Sequence, residues 1–214
     1  MRWKAELLLF DFDGTLIDSK VDIATSVNLT LGELGLPQRS LEEIYSFVGD
    51  GVKRLLRLSV GDGGEDRYEA ALDLFRSHYL KHCVSTTRFY PGIDEVLKHY
   101  EGRKKAIVTN KSPEYTQCIV AGLRANNLFQ AVEGARDTTD LKPEPVMLHR
   151  VLAGLGVAPD RTVMIGDSTN DVRAAQAAGV KACAVGYGYG NRERVLALNP
   201  DFYCERPEDL LHVF

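Results

Sequence analysis

This chain has little that would tie it to a metal-sulfur framework, a membrane or a polyanion. Its 214 residues include four cysteines, Cys83, Cys118, Cys183 and Cys204, set far apart with no Cys-x-x-Cys spacing. That argues against a zinc site and gives a disulfide framework no support. The expectation is small apolar packing in a reducing compartment. No stretch approaches the ~20 apolar residues that span a bilayer. The apolar run Leu7–Phe10 that follows the basic N-terminus is too short for a signal peptide. Positive charge is not in excess either: 26 Lys and Arg stand against 30 Asp and Glu, for a net charge of −4. The expected protein is cytoplasmic, with no nucleic-acid or membrane partner. Its length allows one large domain or two small ones around a real core.

The stretch that is present and organises the rest is Leu7-Leu8-Leu9-Phe10-Asp11-Phe12-Asp13-Gly14-Thr15-Leu16. A short apolar run bounded by a turn signal fits a strand buried on both faces. In an extended segment, Asp11 and Asp13 project to the same side. Two such acids ~4 Å apart repel by about 4 kcal/mol at an effective dielectric of ~20. A divalent ion removes that repulsion, and oxygen-only ligands favour magnesium. A solvated Asp-rich turn after a strand remains the other reading.

Residues 18 to 85 then read as helices without a strand. Val21, Ile23, Ala24, Val27, Leu31 and Leu34 recur at helical spacing until Gly35 and Pro37 intervene. Ser40 and Glu43 form a capping box ahead of a helix at Leu41 to Phe47. Val52 to Val60 is basic and amphipathic, Gly61 to Gly64 reads as a loop, and Tyr68 to His82 is helical again. From Tyr90 onward helices and strands alternate. Strands are expected at Lys105–Thr109, Ala131–Glu133, Thr162–Ile165 and Ala182–Val185. Ser112 and Pro113 should open one of the intervening helices, with Gly122 stopping it. The fold class is therefore α/β, a Rossmann-like doubly wound parallel sheet with an inserted all-helical unit. The expected division is 1–17 and 86–214 for the core and 18–85 for the insertion.

The notable polar residues follow core strands or open helices. Asp11 and Asp13 follow the first strand, Thr109 and Asn110 end the next, Asp167 and Asp171 follow a later one, and Lys142 opens a helix. Parallel strands bring such ends to one edge of the sheet, where ligands bind. Carboxylates there suit magnesium, while lysine, hydroxyl and helix N-termini suit phosphate.

Asp11-Phe12-Asp13-Gly14-Thr15, Thr109-Asn110, Lys142-Pro143 and Gly166-Asp167-Ser168-Thr169-Asn170-Asp171 resemble, in order and spacing, the four motifs of the haloacid dehalogenase (HAD) superfamily. The helical insertion resembles its C1 cap. Phe47 to Val52, Tyr90-Pro91-Gly92 and Gly188-Tyr189-Gly190 are similar to the phosphoglycolate phosphatase branch. The resemblance implies a magnesium-dependent phosphatase acting on a small-molecule phosphomonoester, with 2-phosphoglycolate as the leading candidate. Asp11 would be the nucleophile that forms an aspartyl-phosphate, and Asp13 the general acid and base. Asp11, the Asp13 carbonyl and Asp167 would hold Mg2+. Thr109, Asn110 and Lys142 would bind phosphoryl oxygens, with Ser168 and Asp171 behind them. Members that cleave carbon–halogen bonds lack an acid at the position of Asp13, so its presence implies ester hydrolysis. In the cap, Gly51, Lys53 and Arg54 would reach the substrate. The alternatives are a phosphomutase of the beta-phosphoglucomutase type and a non-hydrolytic phospho-acceptor or binding module. A monomer or homodimer is expected.

Overall fold

A computed structural model describes residues 3–62 and 65–214. Leu7–Phe10 form β1, and all four side chains are fully buried. They are split between two packing faces. Leu8 and Phe10 join one apolar cluster, and Leu7 and Leu9 join the other. That division is why the strand reads as an unbroken apolar run rather than an alternating one.

β1 lies between Lys104–Thr109 (β4) and Thr162–Gly166 (β6), parallel to both, with Leu7 opposite Lys104 on one side and Thr162 on the other. Ala131–Gly134 (β5), Lys181–Val185 (β7) and Phe202–Cys204 (β8) complete a six-stranded parallel sheet in the order β5-β4-β1-β6-β7-β8. The helices Ile93–His99 (α5), Pro113–Gly122 (α6), Val146–Leu155 (α7), Thr169–Ala178 (α8) and Arg192–Leu196 (α9) belong to this half of the chain. Together these form the expected α/β architecture.

Between β1 and α5 stand Lys20–Glu33 (α1), Leu41–Phe47 (α2), Val52–Val60 (α3) and Tyr68–His82 (α4). The capping box is formed: Glu43 N donates to Ser40 Oγ at 3.2 Å, and Ser40 N donates to Glu43 Oε2 at 2.9 Å. Entry and exit of this helical unit form a short ribbon, with Ile17–Asp18 (β2) antiparallel to Arg88–Phe89 (β3). Apolar spacing predicts no strand at either place. A two-residue strand has no period to reveal it. The Asp22 carboxylate ties the ribbon to α1 by accepting from the main-chain N–H and hydroxyl groups of both Thr86 and Thr87 at 2.7–3.0 Å.

Three smaller expectations need correcting. Gly122 does not stop α6 but is its last residue. A Cβ there would lie 2.7 Å from Val84 Cγ1, so it is close packing that requires the glycine. Ser112 precedes α6 without a side-chain cap, leaving the pre-set φ of Pro113 to start the helix. No strand is expected beyond Val185, yet β8 follows as a short edge strand too brief to show a pattern. Of the Gly61–Gly64 loop, Gly63 and Gly64 lie outside the described residues. The cysteines are free thiols in two close pairs, with Sγ atoms 3.1 Å apart for Cys83 and Cys118 and 3.8 Å apart for Cys183 and Cys204.

Candidate active site

Because β1, β4 and β6 are parallel neighbours, their carboxyl ends share one rim, and the motif residues meet there. A cavity at this rim is lined by Asp11, Asp13, Thr109, Asn110, Lys142 and Asp167, together with Gly49 from the helical unit. Asp11 leaves the end of β1, where its N–H still pairs with Ile165 O at 2.8 Å. The chain then turns tightly, with the N–H groups of Leu16 and Ile17 both meeting Phe12 O at 3.0 Å. Gly14 lies inside this turn at φ +84°, and a Cβ on it would sit 2.5 Å from Asp167 Oδ2. Both reasons call for glycine there.

Lys142 is the electrostatic centre. Its ammonium lies 2.8 Å from Asp11 Oδ1, 2.6 Å from Asp171 Oδ1 and 2.7 Å from Val108 O. Burial works against its charge, but the two carboxylates outweigh it and raise its pKa. Asp171 Oδ2 accepts from Ser168 N at 2.9 Å and from Ser168 Oγ at 2.6 Å. Both Asp171 oxygens are therefore occupied in orienting Lys142 and capping α8. The Asn110 carboxamide is likewise engaged: Oδ1 accepts from Lys142 N at 2.7 Å, and Nδ2 donates to the carbonyls of Gly49 and Lys142. It positions the lysine and touches the helical unit, leaving only the Asn110 main chain to meet a phosphoryl group. Thr109 is buried, and its Oγ1 accepts from Lys111 N at 3.2 Å.

Asp167 is held from the loop after β7, which the sequence singled out without a role. Its Oδ2 accepts from Tyr189 N at 2.6 Å and Gly190 N at 3.0 Å. A Cβ on Gly190 would lie 1.9 Å from Asp167 O, so only glycine lets the loop come this close. Burial, Asp171 and Asp11 still push Asp167 up to about 8. Burial also pushes Asp11 up to about 6, opposed by Lys142 and assisted by Asp171.

Carboxylate oxygens of Asp11, Asp167 and Asp171 all lie within 4.8 Å of one another. Asp11 Oδ1 is buried, and its approach to Lys142 lacks the alignment of a hydrogen bond. A crowded, oxygen-only set of acids that resist ionising, with acceptor capacity left over, fits a hard divalent cation.

A pH dependence follows. An acid whose pKa is raised on folding stabilises the native state below the ordinary carboxylate range near 4 and loses that contribution as pH rises through its folded value. In EDTA, thermal stability should therefore decline from pH 5 to pH 8.5, through about 6 for Asp11 and about 8 for Asp167. Asp22 runs the other way, since the hydrogen bonds from Thr86 and Thr87 outweigh its burial and lower its pKa, so it stays ionised across this window. Scanning calorimetry should show a shallower decline in Asp167→Asn; an identical slope would remove Asp167 as the cause.

The general-acid candidate has partners that the sequence reading missed. Asp13 Oδ1 accepts from Ser19 Oγ, and Oδ2 pairs with Lys111 Nζ at 2.8 Å. Adjacency to Thr109-Asn110 was the available signal for Lys111. Of the predicted cap contacts, Gly51 borders the neighbouring cavity at φ +84°, but Lys53 and Arg54 are exposed. Arg54 pairs with Asp50 at 3.0 Å, and Lys53 faces a separate groove beside Arg136 and Asp137. The fold does not bring either to the acids.

A family model described as haloacid dehalogenase-like hydrolase matches residues 8–185. The chain is 34% identical to a phosphoglycolate phosphatase of Colwellia psychrerythraea, over 96% of this chain and 95% of the relative. It is also 34% identical to a phosphoglycolate phosphatase of Aquifex aeolicus, over 96% and 94%. Among solved structures, a predicted phosphoglycolate phosphatase from Haemophilus somnus superposes with a TM-score of 0.88 at 28% identity, covering 97% of this chain and 96% of that one. No helix among the described residues is long and apolar enough to cross a membrane.

Proposed function

The chain belongs to the haloacid dehalogenase-like hydrolases, and from that premise we propose a magnesium-dependent phosphomonoesterase that works through an aspartyl-phosphate on Asp11, with 2-phosphoglycolate as its ester. The observation that carries this reading is the pair of acids on one loop in unlike surroundings. Asp11 sits against Lys142 and the acid cluster, while Asp13 is turned to Ser19 and Lys111. One is placed to attack and the other to move protons.

In the first half-reaction an Asp11 oxygen bonds to phosphorus and the ester P–O bond breaks. The departing alkoxide takes the proton of Asp13. In the second, Asp13 removes a proton from water, whose oxygen attacks phosphorus and frees Asp11 and phosphate. Lys142, the Thr109 hydroxyl and the Asn110 main-chain amide face the phosphoryl oxygens as their charge redistributes. Asp11, Asp167 and the Asp13 carbonyl would hold Mg2+, with Asp171 left to orient Lys142. Bound Mg2+ supplies Lewis-acid charge neutralisation between the acids and the phosphoryl group. Residues 18–85 act as a cap over the rim. They are joined to the core by the β2–β3 ribbon and by contacts such as the double hydrogen bond of Arg76 to Glu114 at 2.8 and 2.7 Å. A cap of this kind excludes water before transfer.

The test is phosphate release from a panel of phosphate esters with MgCl2 and with EDTA. Magnesium-dependent release that favours 2-phosphoglycolate supports the reading; a stable phosphoprotein with negligible release overturns it. Asp13→Asn should lower kcat for alkyl esters by about 10²- to 10⁴-fold. Nitrophenyl phosphate, whose leaving group needs little protonation, should suffer much less, and equal losses would remove Asp13 as the acid. At pH 7.5, Mg2+ at ~100 times its Kd should add about 2.7 kcal/mol of stability, or roughly 5–10 °C in Tm. Calorimetry with Ca2+ and Mg2+ in parallel checks it, and no shift with either would exclude the ion site.

A further inference from the structure

Beside the acid rim lies a second cavity that shares Asp13 with the first but not Asp167, and is walled largely by the helical unit. Asp13 and Lys111 border it on the core side, and Ile23, Leu55, Tyr79 and Tyr115 are among its walls. A phosphoryl group over Asp11 with its ester oxygen at Asp13 would send the rest of the alcohol into this space. The chemistry of this cavity therefore chooses the alcohol.

Two of its groups are unusual. The Lys111 side chain is only 7% exposed, yet its ammonium has one hydrogen-bonded partner, Asp13 Oδ2 at 2.8 Å, and otherwise stands 4.8 Å from the ring centre of Tyr79. A lysine ammonium has three N–H donors, so two remain unused among the described residues. Tyr79 is 1% exposed, stacked on Phe75 and edge-on to Tyr115, and its hydroxyl has no hydrogen-bond partner among the described residues. A buried hydroxyl without a partner is costly and calls for one. Lys142, the cation lining the adjoining cavity, is already enclosed by Asp11, Asp171 and Val108 O. Lys53 and Arg54 stand outside both cavities. The space open to water centres is about 50 Å³. At ~10–15 Å³ per water, that holds a few waters and no sugar ring.

We propose that Lys111, assisted by the Tyr79 hydroxyl, is the specificity-determining pair for the leaving group and selects a short alcohol that ends in a carboxylate. The inference rests on the phosphatase reading and deepens it: the substrate class is small phosphorylated hydroxy-acids, and hexose phosphates are excluded. A carboxylate two atoms beyond the ester oxygen accepts from the unused ammonium donors and from the Tyr79 hydroxyl. The Lys111 ammonium then stands between Asp13 and the ligand carboxylate instead of facing Asp13 alone.

The experiment compares phosphonates that cannot turn over, 3-phosphonopropionate and propylphosphonate, by calorimetric titration in MgCl2. It also compares kcat/KM for 2-phosphoglycolate and ethyl phosphate. Wild type should prefer the acid-bearing phosphonate by about 10- to 100-fold, the range of a charge-assisted hydrogen bond. Lys111→Gln should reduce that preference below about threefold and Lys111→Arg should restore part of it; Tyr79→Phe should weaken it by a few-fold. Lys111→Gln should also cost 2-phosphoglycolate at least tenfold more than ethyl phosphate, mainly in KM. A Lys111 that only positions Asp13 would depress both alkyl esters alike, and that result overturns the inference, as does a preference that survives in Lys111→Gln. If wild type hydrolyses neither ester, the phosphatase reading falls instead, and the phosphonate titrations still decide the assignment of Lys111.

Discussion

Asp11→Asn should abolish phosphate release, with kcat lower by about 10⁴-fold or more. The substitution keeps the shape of the side chain and removes its ability to bond phosphorus. Loss of the first covalent step leaves only positioning to assist direct attack by water. The same change should not harm the fold. Asp11 is a buried acid pushed up to about 6 by burial and by Asp171, so its charge is a net burden at pH 7.5 in EDTA. Lys142 keeps Asp171 as its counter-ion at 2.6 Å. The expected Tm in EDTA is therefore equal to or above that of wild type. A variant that is inactive because it is unfolded would show the opposite. Incubation with substrate and acid quenching should recover phosphoprotein from wild type and none from the variant. Retention of more than about 1% of wild-type turnover would move the nucleophile elsewhere.

Lys142→Met should be damaging in both respects. It takes away the cation between Asp11 and Asp171 and leaves three carboxylates within 4.8 Å of one another. Removing one partner of a buried ion pair costs about 3–5 kcal/mol, a large share of the ~5–15 kcal/mol that holds a typical domain folded. The sign of the pH dependence is set by what remains. Without the ammonium, Asp11 ionises only at still higher pH, so the deficit should be small near pH 5 and widen toward pH 8. Saturating Mg2+ should recover part of it by supplying the missing positive charge. Urea unfolding at both pH values, with EDTA or MgCl2, measures each effect. Activity should fall by about 10²- to 10³-fold even in Mg2+, as expected when a donor aimed at transferring charge is lost. A deficit independent of pH would show that Lys142 acts through packing rather than charge.

Much of this site could be read along the chain. Asp11, Asp13, Thr109 and Asp167 each stand close to the end of a short apolar run, where local patterning is enough to find them, whereas Lys142, expected to open a helix, stands in the turn ahead of α7. The contacts that escaped notice act across long sequence separations. Lys111 pairs with Asp13 from 98 positions away, Tyr189 donates to Asp167 from the next strand's loop, and Tyr79 lines the cavity beside Asp13 from α4. Lys111 had only its adjacency to Thr109-Asn110 as a local signal, and a tyrosine on an apolar helix face, such as Tyr79, is ordinary. Lys53 and Arg54 show the reverse error. Their charge invited a role, but the turn that starts α3 at Gly51 leaves them on the solvent side.

By itself the sequence determined the period of each long element, the burial of β1 on both faces and the order in which polar residues follow the strands. These depend on neighbours a few residues apart, and apolar spacing reports them directly. Only the tertiary structure decided which acids share a counter-ion, which side chains are fully engaged and which cation lines the cavity beside Asp13. Those outcomes depend on distances of about 3 Å between segments 29 to 131 positions apart. At that range, burial and charge set whether a group stays ionised, and no local pattern encodes the approach.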